Sequence, residues 1–233
     1  MPMFPNSSCA VPVDAPALEC HSLAGFENEV RRLFSDTFVL GNPIGSPVAL
    51  FDHYAELNLG WYLTVGAADC VVVTSSGRVV AYGLLCAEPR DLDRWTMRRV
   101  PSLCGRVLSR LITFRLTKDA VRFYSGRFLD AVTIGFARRS LPVDCAHVHM
   151  NVSAGHRTGQ VALILRDELD KVCRDRGISH WMGEINSVSG HRRDALARCV
   201  GNVVGTKRNR TMSRLMGVEV TRLTVVRTVP RSA

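Results

Sequence analysis

Apolar and polar positions along the chain change period several times, and each change marks an element. Residues 17–23 (ALECHSL) alternate as a short strand. In residues 26–38, Phe26, Val30, Leu33, Phe34 and Phe38 recur at helical spacing and predict an amphipathic helix. A loop rich in Gly and Pro follows at 40–48. A second helix is expected over 49–63, ending near Gly60. Residues 69–89 hold two β-rich runs, CVVVT and VVAYGLLC, joined by Ser75-Ser76-Gly77-Arg78, and predict a hairpin. Over 89–140 the spacing is helical but irregular and crowded with arginine, which suits two or three helices. Residues 144–154 (DCAHVHMNVSA) alternate as a strand, and Gly155–Gly159 reads as a turn. The helix over 160–177 is the clearest in the chain, with Val161, Leu163, Ile164, Leu165, Leu169 and Val172 as its apolar set and Gly177 as its stop. A strand at 180–186, a helix at 189–201, and one or two strands around a basic turn at Lys207–Arg210 complete the pass.

The order is β α α β β, a helical insert, then β α β α β(β). A strand, Gly turn, helix, strand and helix in succession form a βαβα unit with neighbouring parallel strands. The hairpins on either side of it make the sheet mixed. With 233 residues, 46% of them apolar, the chain suits one domain over 17–233 carrying a basic helical insertion at about 89–140. Residues 1–16, broken by proline, read as a flexible lead without a signal-peptide pattern. No apolar run reaches the roughly 20 residues that span a bilayer, so no membrane partner is expected.

Charge changes this picture by its distribution. The net charge is +9, yet residues 1–88 are net −6, while 89–140 and 192–233 are each net +8. An anionic partner near the two basic segments is one implication, and an arginine-rich solvated surface is the other. None of the eight cysteines forms a CxxC pair. Cys20, Cys70, Cys86, Cys145 and Cys173 lie inside apolar patterns, as structural thiols of a cytoplasmic protein do.

At 147–165 (HVHMNVSAGHRTGQVALIL) a strand runs through a glycine turn into a helix. This arrangement resembles the acyl-donor turn of the GNAT N-acetyltransferase superfamily, whose pattern is Q/R-x-x-G-x-G/A. Gly159 matches the central glycine, His156 takes the Q/R position, and Val161 takes the final G/A position. A second GNAT pattern, L-Y-x-x-x-G-F, aligns with residues 196–202, where Leu196 and Gly201 match. There Ala197 replaces the tyrosine that often protonates the leaving thiolate, and Asn202 replaces the phenylalanine. The resemblance rests on element order and spacing over roughly residues 17–228, with 89–140 outside it. It implies an α/β fold with a mixed, mostly antiparallel sheet around a central parallel βαβα unit.

The resemblance further implies an N-acyltransferase whose donor is a phosphopantetheine thioester, on CoA or on an acyl carrier protein, and whose acceptor is a small-molecule amine. Donor contacts are expected from Asn151, Val152, His156, Arg157, Thr158, Gly159, Gln160 and Val161, because unpaired N–H groups and the dipole of a helix N-terminus favour a pyrophosphate. The side chain of Val161, where the family has Gly or Ala, is expected to obstruct close approach to the turn. Backbone N–H groups near Met150, Asn151 or Val152 would polarise the donor carbonyl.

Glu184 and Asn186 lie near the end of the second parallel strand, with Glu184 either a general base or an ion-pair partner. His149, on the same strand face as His147, suits substrate contact, a base, a metal ligand or an ordinary polar face; no third ligand is evident in the sequence, so no metal is expected. His191 near the start of the last helix completes the candidate set. In the insert, Arg98, Arg99, Arg106 and Arg110 interleave with aromatics, which suits tRNA, an acidic carrier protein or plain solvation. An aminoacyl-tRNA-dependent transferase, or a non-catalytic nucleic-acid-binding protein on the same scaffold, are the alternatives.

Overall fold

The computed structural model describes residues 17–45, 48–138, 145–157, 159–188, 194 and 199–231, and of residues 133–138 the backbone alone. In chain order the described elements are β1 (Leu18–Ser22), α1 (Glu27–Thr37), α2 (Phe51–Leu59), β2 (Val71–Ser75), β3 (Arg78–Cys86), α3 (Pro89–Ile112), α4 (Lys118–Arg138), β4 (Cys145–Val152), α5 (Gly159–Asp175), β5 (His180–Ser187), β6 (Asn202–Arg208), α6 (Arg210–Met216) and β7 (Thr221–Thr228). The seven strands form one sheet in the order β1-β2-β3-β4-β5-β7-β6. β4 and β5 pair in parallel and the other described pairs are antiparallel.

Local chemistry accounts for the elements. The β2–β3 hairpin turns on Ser76 and Gly77, both at positive φ (49° and 72°), the geometry that matches the twist of the flanking strands. In α5, Val161, Leu165, Leu169 and Cys173 fall at i, i+4 spacing and are all buried. Leu163, which the spacing assigned to that apolar set, is exposed, because it projects from the opposite side of the helix. Gly177 at φ 70° ends the helix, its N–H donating to Arg174 O and that of Ile178 to Cys173 O.

The sheet is covered on both faces. On one, α5 packs over Val73, Ala81, Leu85, Ala146, Val148 and Trp181. On the other, α1, α2 and α4 cover Val72, Tyr82, Leu84 and Cys86 with Phe34, Phe38, Tyr54 and Phe123. Residues 89–138 form two long helices, α3 and α4. The inward stripe of α4 is Ala120, Phe123, Gly126 and Asp130, with Tyr124 and Arg127 beside it.

The C-terminal region departs from the expectation of strands around a basic turn. Lys207 and Arg208 end β6, and Arg210 begins a helix instead of a turn. Asn209, fully buried, caps that helix by accepting from Met212 N at 3.0 Å. Asp130 of α4 accepts from Arg210 N, Thr211 N and Thr211 Oγ1 at 3.0, 3.0 and 2.6 Å. A tertiary carboxylate thus satisfies amides that a seven-residue helix would leave open. The helix expected over 189–201 lies mostly outside the described residues, although Asp194, Cys199 and Val200 are helical.

Candidate active site

β4 and β5 stay paired from Cys145↔His180 to Val148↔Gly183. Beyond that point each keeps its outer partner: β4 remains paired with β3 to Val152, and β5 with β7 to Ser187. The inner edges from His149 and Glu184 onward therefore diverge into a splay. Ser153 N donates to Val80 O on β3 at 2.8 Å. Antiparallel alternation then directs the amides of Met150 and Val152 away from β3 and into the splay. Val152 N donates to Asn151 Oδ1 at 3.1 Å, and Asn151 Nδ2 donates to Thr37 Oγ1 on α1.

The turn after β4 leads straight to the start of α5. Ser153 Oγ and His156 Nδ1 are 2.9 Å apart. Arg157 Nε donates to Val152 O at 3.2 Å, and its Nη1 donates to Leu40 O in the α1–α2 loop. Gly41, at φ 96°, lets this guanidinium lie against the loop, for a Cβ there would occupy the same space. Arg157 is thus a staple between the α1–α2 loop and the end of β4. Gly159 and Gln160 open α5 and are exposed, with free space where a Cβ at Gly155 or Gly159 would stand. That surface fits a pyrophosphate against the helix N-terminus. The expected obstruction by Val161 does not occur. Its side chain points beneath the helix into the α5 core and is 1% exposed. Thr158, His191 and the Leu196–Ala197 pair lie outside the described residues.

Across the splay, Glu184 Oε2 is 3.4 Å from Arg222 Nε on β7, with the two side chains 23% and 8% exposed. Arg222 sits opposite Asn186 and Glu184 opposite Thr224, so all four residues share one sheet face. Asn186 Oδ1 accepts from Asn209 Nδ2 at 2.7 Å, tying the splayed end of β5 to the cap of α6. Arg222, Asn209 and Asp130 support the site and were not legible as such. An Asn eight residues before Gly217 was a helix signal, and Gly217 lies at φ 68°.

The two histidines of β4 face the α1–α4 side but differ in surroundings. The His147 Nδ1 is 2.6 Å from the Tyr62 hydroxyl. His149 lies edge-on to Phe34 and Tyr82. Burial first, and then the Arg127 cation, holds the His149 imidazole down at about 4. A histidine titrating there is neutral at pH 7 and a weak base, which suits orientation better than proton abstraction.

This has a consequence for stability. Unfolded, His149 takes up its proton near pH 6.5; folded, it does so near 4. Its contribution is intact above pH 6.5 and is lost as pH falls toward 4, because the unfolded chain binds the extra proton. Between pH 7 and 4.5 the wild type is expected to lose roughly 2–3 kcal/mol more than His149→Gln. Urea unfolding of both proteins at the two pH values measures this, and equal losses would refute it.

Burial raises the thiols of Cys70, Cys86 and Cys173 to about 12 and that of Cys145 to about 11, which removes them as nucleophiles at neutral pH. Among the described residues no group of three or more His, Cys, Asp or Glu is placed to hold a metal ion. No described helix is long and apolar enough to cross a membrane. Arg98, Arg99, Arg106 and Arg110 are exposed on α3, Arg99 with its guanidinium 3.7 Å from the Trp95 ring centre.

No protein-family model matches the sequence, and no curated protein matches it. Solved structures do match the fold. The chain is similar to an agmatine N-acetyltransferase, with 16% identity, TM-score 0.53, and coverage of 91% of this chain and 99% of that one. It is also similar to the Drosophila melanogaster polyamine N-acetyltransferase that forms N-acetylagmatine (15%, TM-score 0.54, 91% and 100%). The α/β architecture is therefore the GNAT fold: a seven-stranded, mostly antiparallel sheet opened between its one described parallel pair.

Proposed function

We propose that the chain is an N-acyltransferase that moves an acyl group from a phosphopantetheine thioester, acyl-CoA or acyl carrier protein, to the amine of a small molecule. The observation that carries this reading is the splay. It leaves the strand-edge amide of Met150 beside the exposed N-terminus of α5, so one end of a donor meets a hydrogen-bond donor and the other a positive helix end.

In this reading the Met150 amide polarises the thioester carbonyl as the amine nitrogen attacks it. Glu184, directly or through a water, takes the proton the nitrogen sheds, while Arg222 holds the carboxylate in place. As the carbon–sulfur bond breaks, the leaving thiolate requires one proton. That is the number Glu184 has taken up, so the cycle balances without a further reactant. His149, neutral beside the splay, orients the acceptor. The basic surface of α3, with Arg98, Arg99, Arg106 and Arg110, supports a macromolecular donor, either an acidic carrier protein or a charged tRNA.

Thermal unfolding with and without CoA tests the donor. At about 100 times its Kd, CoA is expected to add roughly 2.7 kcal/mol. If neither CoA nor a holo acyl carrier protein raises the melting temperature, the phosphopantetheine reading fails. Binding of charged tRNA with a steep salt dependence would then replace it.

A further inference from the structure

We propose that Arg127 and Tyr54 form an anion clamp on the acceptor side, and that the acceptor amine therefore also carries a carboxylate. The proposal rests on the acyltransferase reading above and names the acceptor class for that site.

Arg127 lies beside the inward stripe of α4, between Phe123 and Asp130, and is half-buried. A guanidinium turned toward the core ordinarily finds a carboxylate. Here both oxygens of Asp130 are committed to the start of α6. Glu184 pairs with Arg222, and Glu56 of α2 pairs with Arg31. The described structure gives Arg127 no carboxylate. It gives two aromatic faces instead, Tyr54 at 5.2 Å and Phe38 at 6.0 Å from the guanidinium carbon.

The hydroxyl of Tyr54 is buried and has no hydrogen-bond partner. A fork of N–H donors over the ring of a tyrosine whose O–H is unused offers donors for one oxyacid group with two oxygens. The surroundings allow an anion there. Burial, and then the Arg127 charge, holds His149 neutral, so the histidine adds no second cation beside Arg127. The aromatic walls from Phe34, Phe38, Phe51 and Phe123 lower the local dielectric and strengthen the pair. The same cation repels di- and polycationic amines such as agmatine, which a similar structure acetylates by its name.

The test uses matched probes on the full chain: glycine, alanine and phenylalanine, their amides, and agmatine. Binding is read by thermal shift without donor, and turnover by thiol release from acetyl-CoA. The free acids are expected to bind about 10- to 100-fold more tightly than their amides, with agmatine weakest. Arg127→Gln should collapse that ratio toward one, and Arg127→Lys should restore part of it. Tyr54→Phe should reduce the ratio while keeping the ring. Melting of each variant alone checks its fold.

Equal binding of acids and amides, a preference for agmatine, or an acid preference that survives Arg127→Gln would overturn the clamp. If CoA binds while no acid does, the clamp fails and the acyltransferase reading stands. If acids bind through Arg127 while neither CoA nor carrier protein does, the clamp stands and the donor reading fails.

Discussion

Replacing Asp170 by alanine is expected to cost roughly 3–5 kcal/mol of unfolding free energy, the loss typical of breaking one side of a buried charge pair. Asp170 lies on the sheet-facing side of α5, its side chain 3% exposed. It accepts from Trp181 Nε1 on β5 at 2.9 Å. It also accepts from Arg227 on β7, through Nε at 2.8–2.9 Å and Nη2 at 2.6 Å. One carboxylate thus fastens the helix whose N-terminus faces the donor turn to two adjacent strands. Alanine leaves the indole N–H unpaired inside the core and a guanidinium, 17% exposed, without its anion. Asp170→Asn keeps an acceptor for Trp181 and should lose less. Denaturant unfolding at pH 7 measures both, and a loss below about 1 kcal/mol for alanine would refute the account.

Glu184→Gln is expected to lower single-turnover acyl transfer by about 10²–10⁴, the usual worth of a positioned general base. The substitution also strips the buried Arg222 of its counter-charge, so stability will fall alongside the rate. The two effects separate by pH. A lost base leaves a residual rate that follows only the titration of the free amine, whereas a merely loosened strand keeps the wild-type profile at reduced amplitude. Glu184→Asp, which retains the charge on a shorter arm, should recover part of the rate. An unchanged rate across pH would remove Glu184 from the chemistry and leave it a structural partner of Arg222.

Most of the framework was legible because it depends on short-range pattern. The 3.6-residue spacing of Val30, Leu33 and Phe34, and of Val161, Leu165 and Leu169, places those residues in the core on both faces of the sheet. Alternation over 144–154 and the β-rich runs of 69–89 mark strands that are present. The element order pointed to the GNAT fold even where the signature residues departed from it.

What escaped was decided at long range. Residues 210–216 are too short a run for their spacing to declare a helix, and Asp130, about eighty residues earlier, supplies the acceptors that hold its first turn. Arg157, expected among the donor contacts, also donates to the carbonyl of Leu40, which the missing side chain of Gly41 lets it approach. The direction of Val161 depended on which side of α5 meets the sheet.

The chain's own periodicity therefore determined which segments are helix or strand and which of their faces are apolar, because burial of one face is a local property of spacing. Only the tertiary structure decided where β4 and β5 part, which arginine answers Glu184 and which aromatic rings meet Arg127. Those are questions of which charges and backbone edges meet, and that is set by sheet order and helix packing between residues distant in sequence.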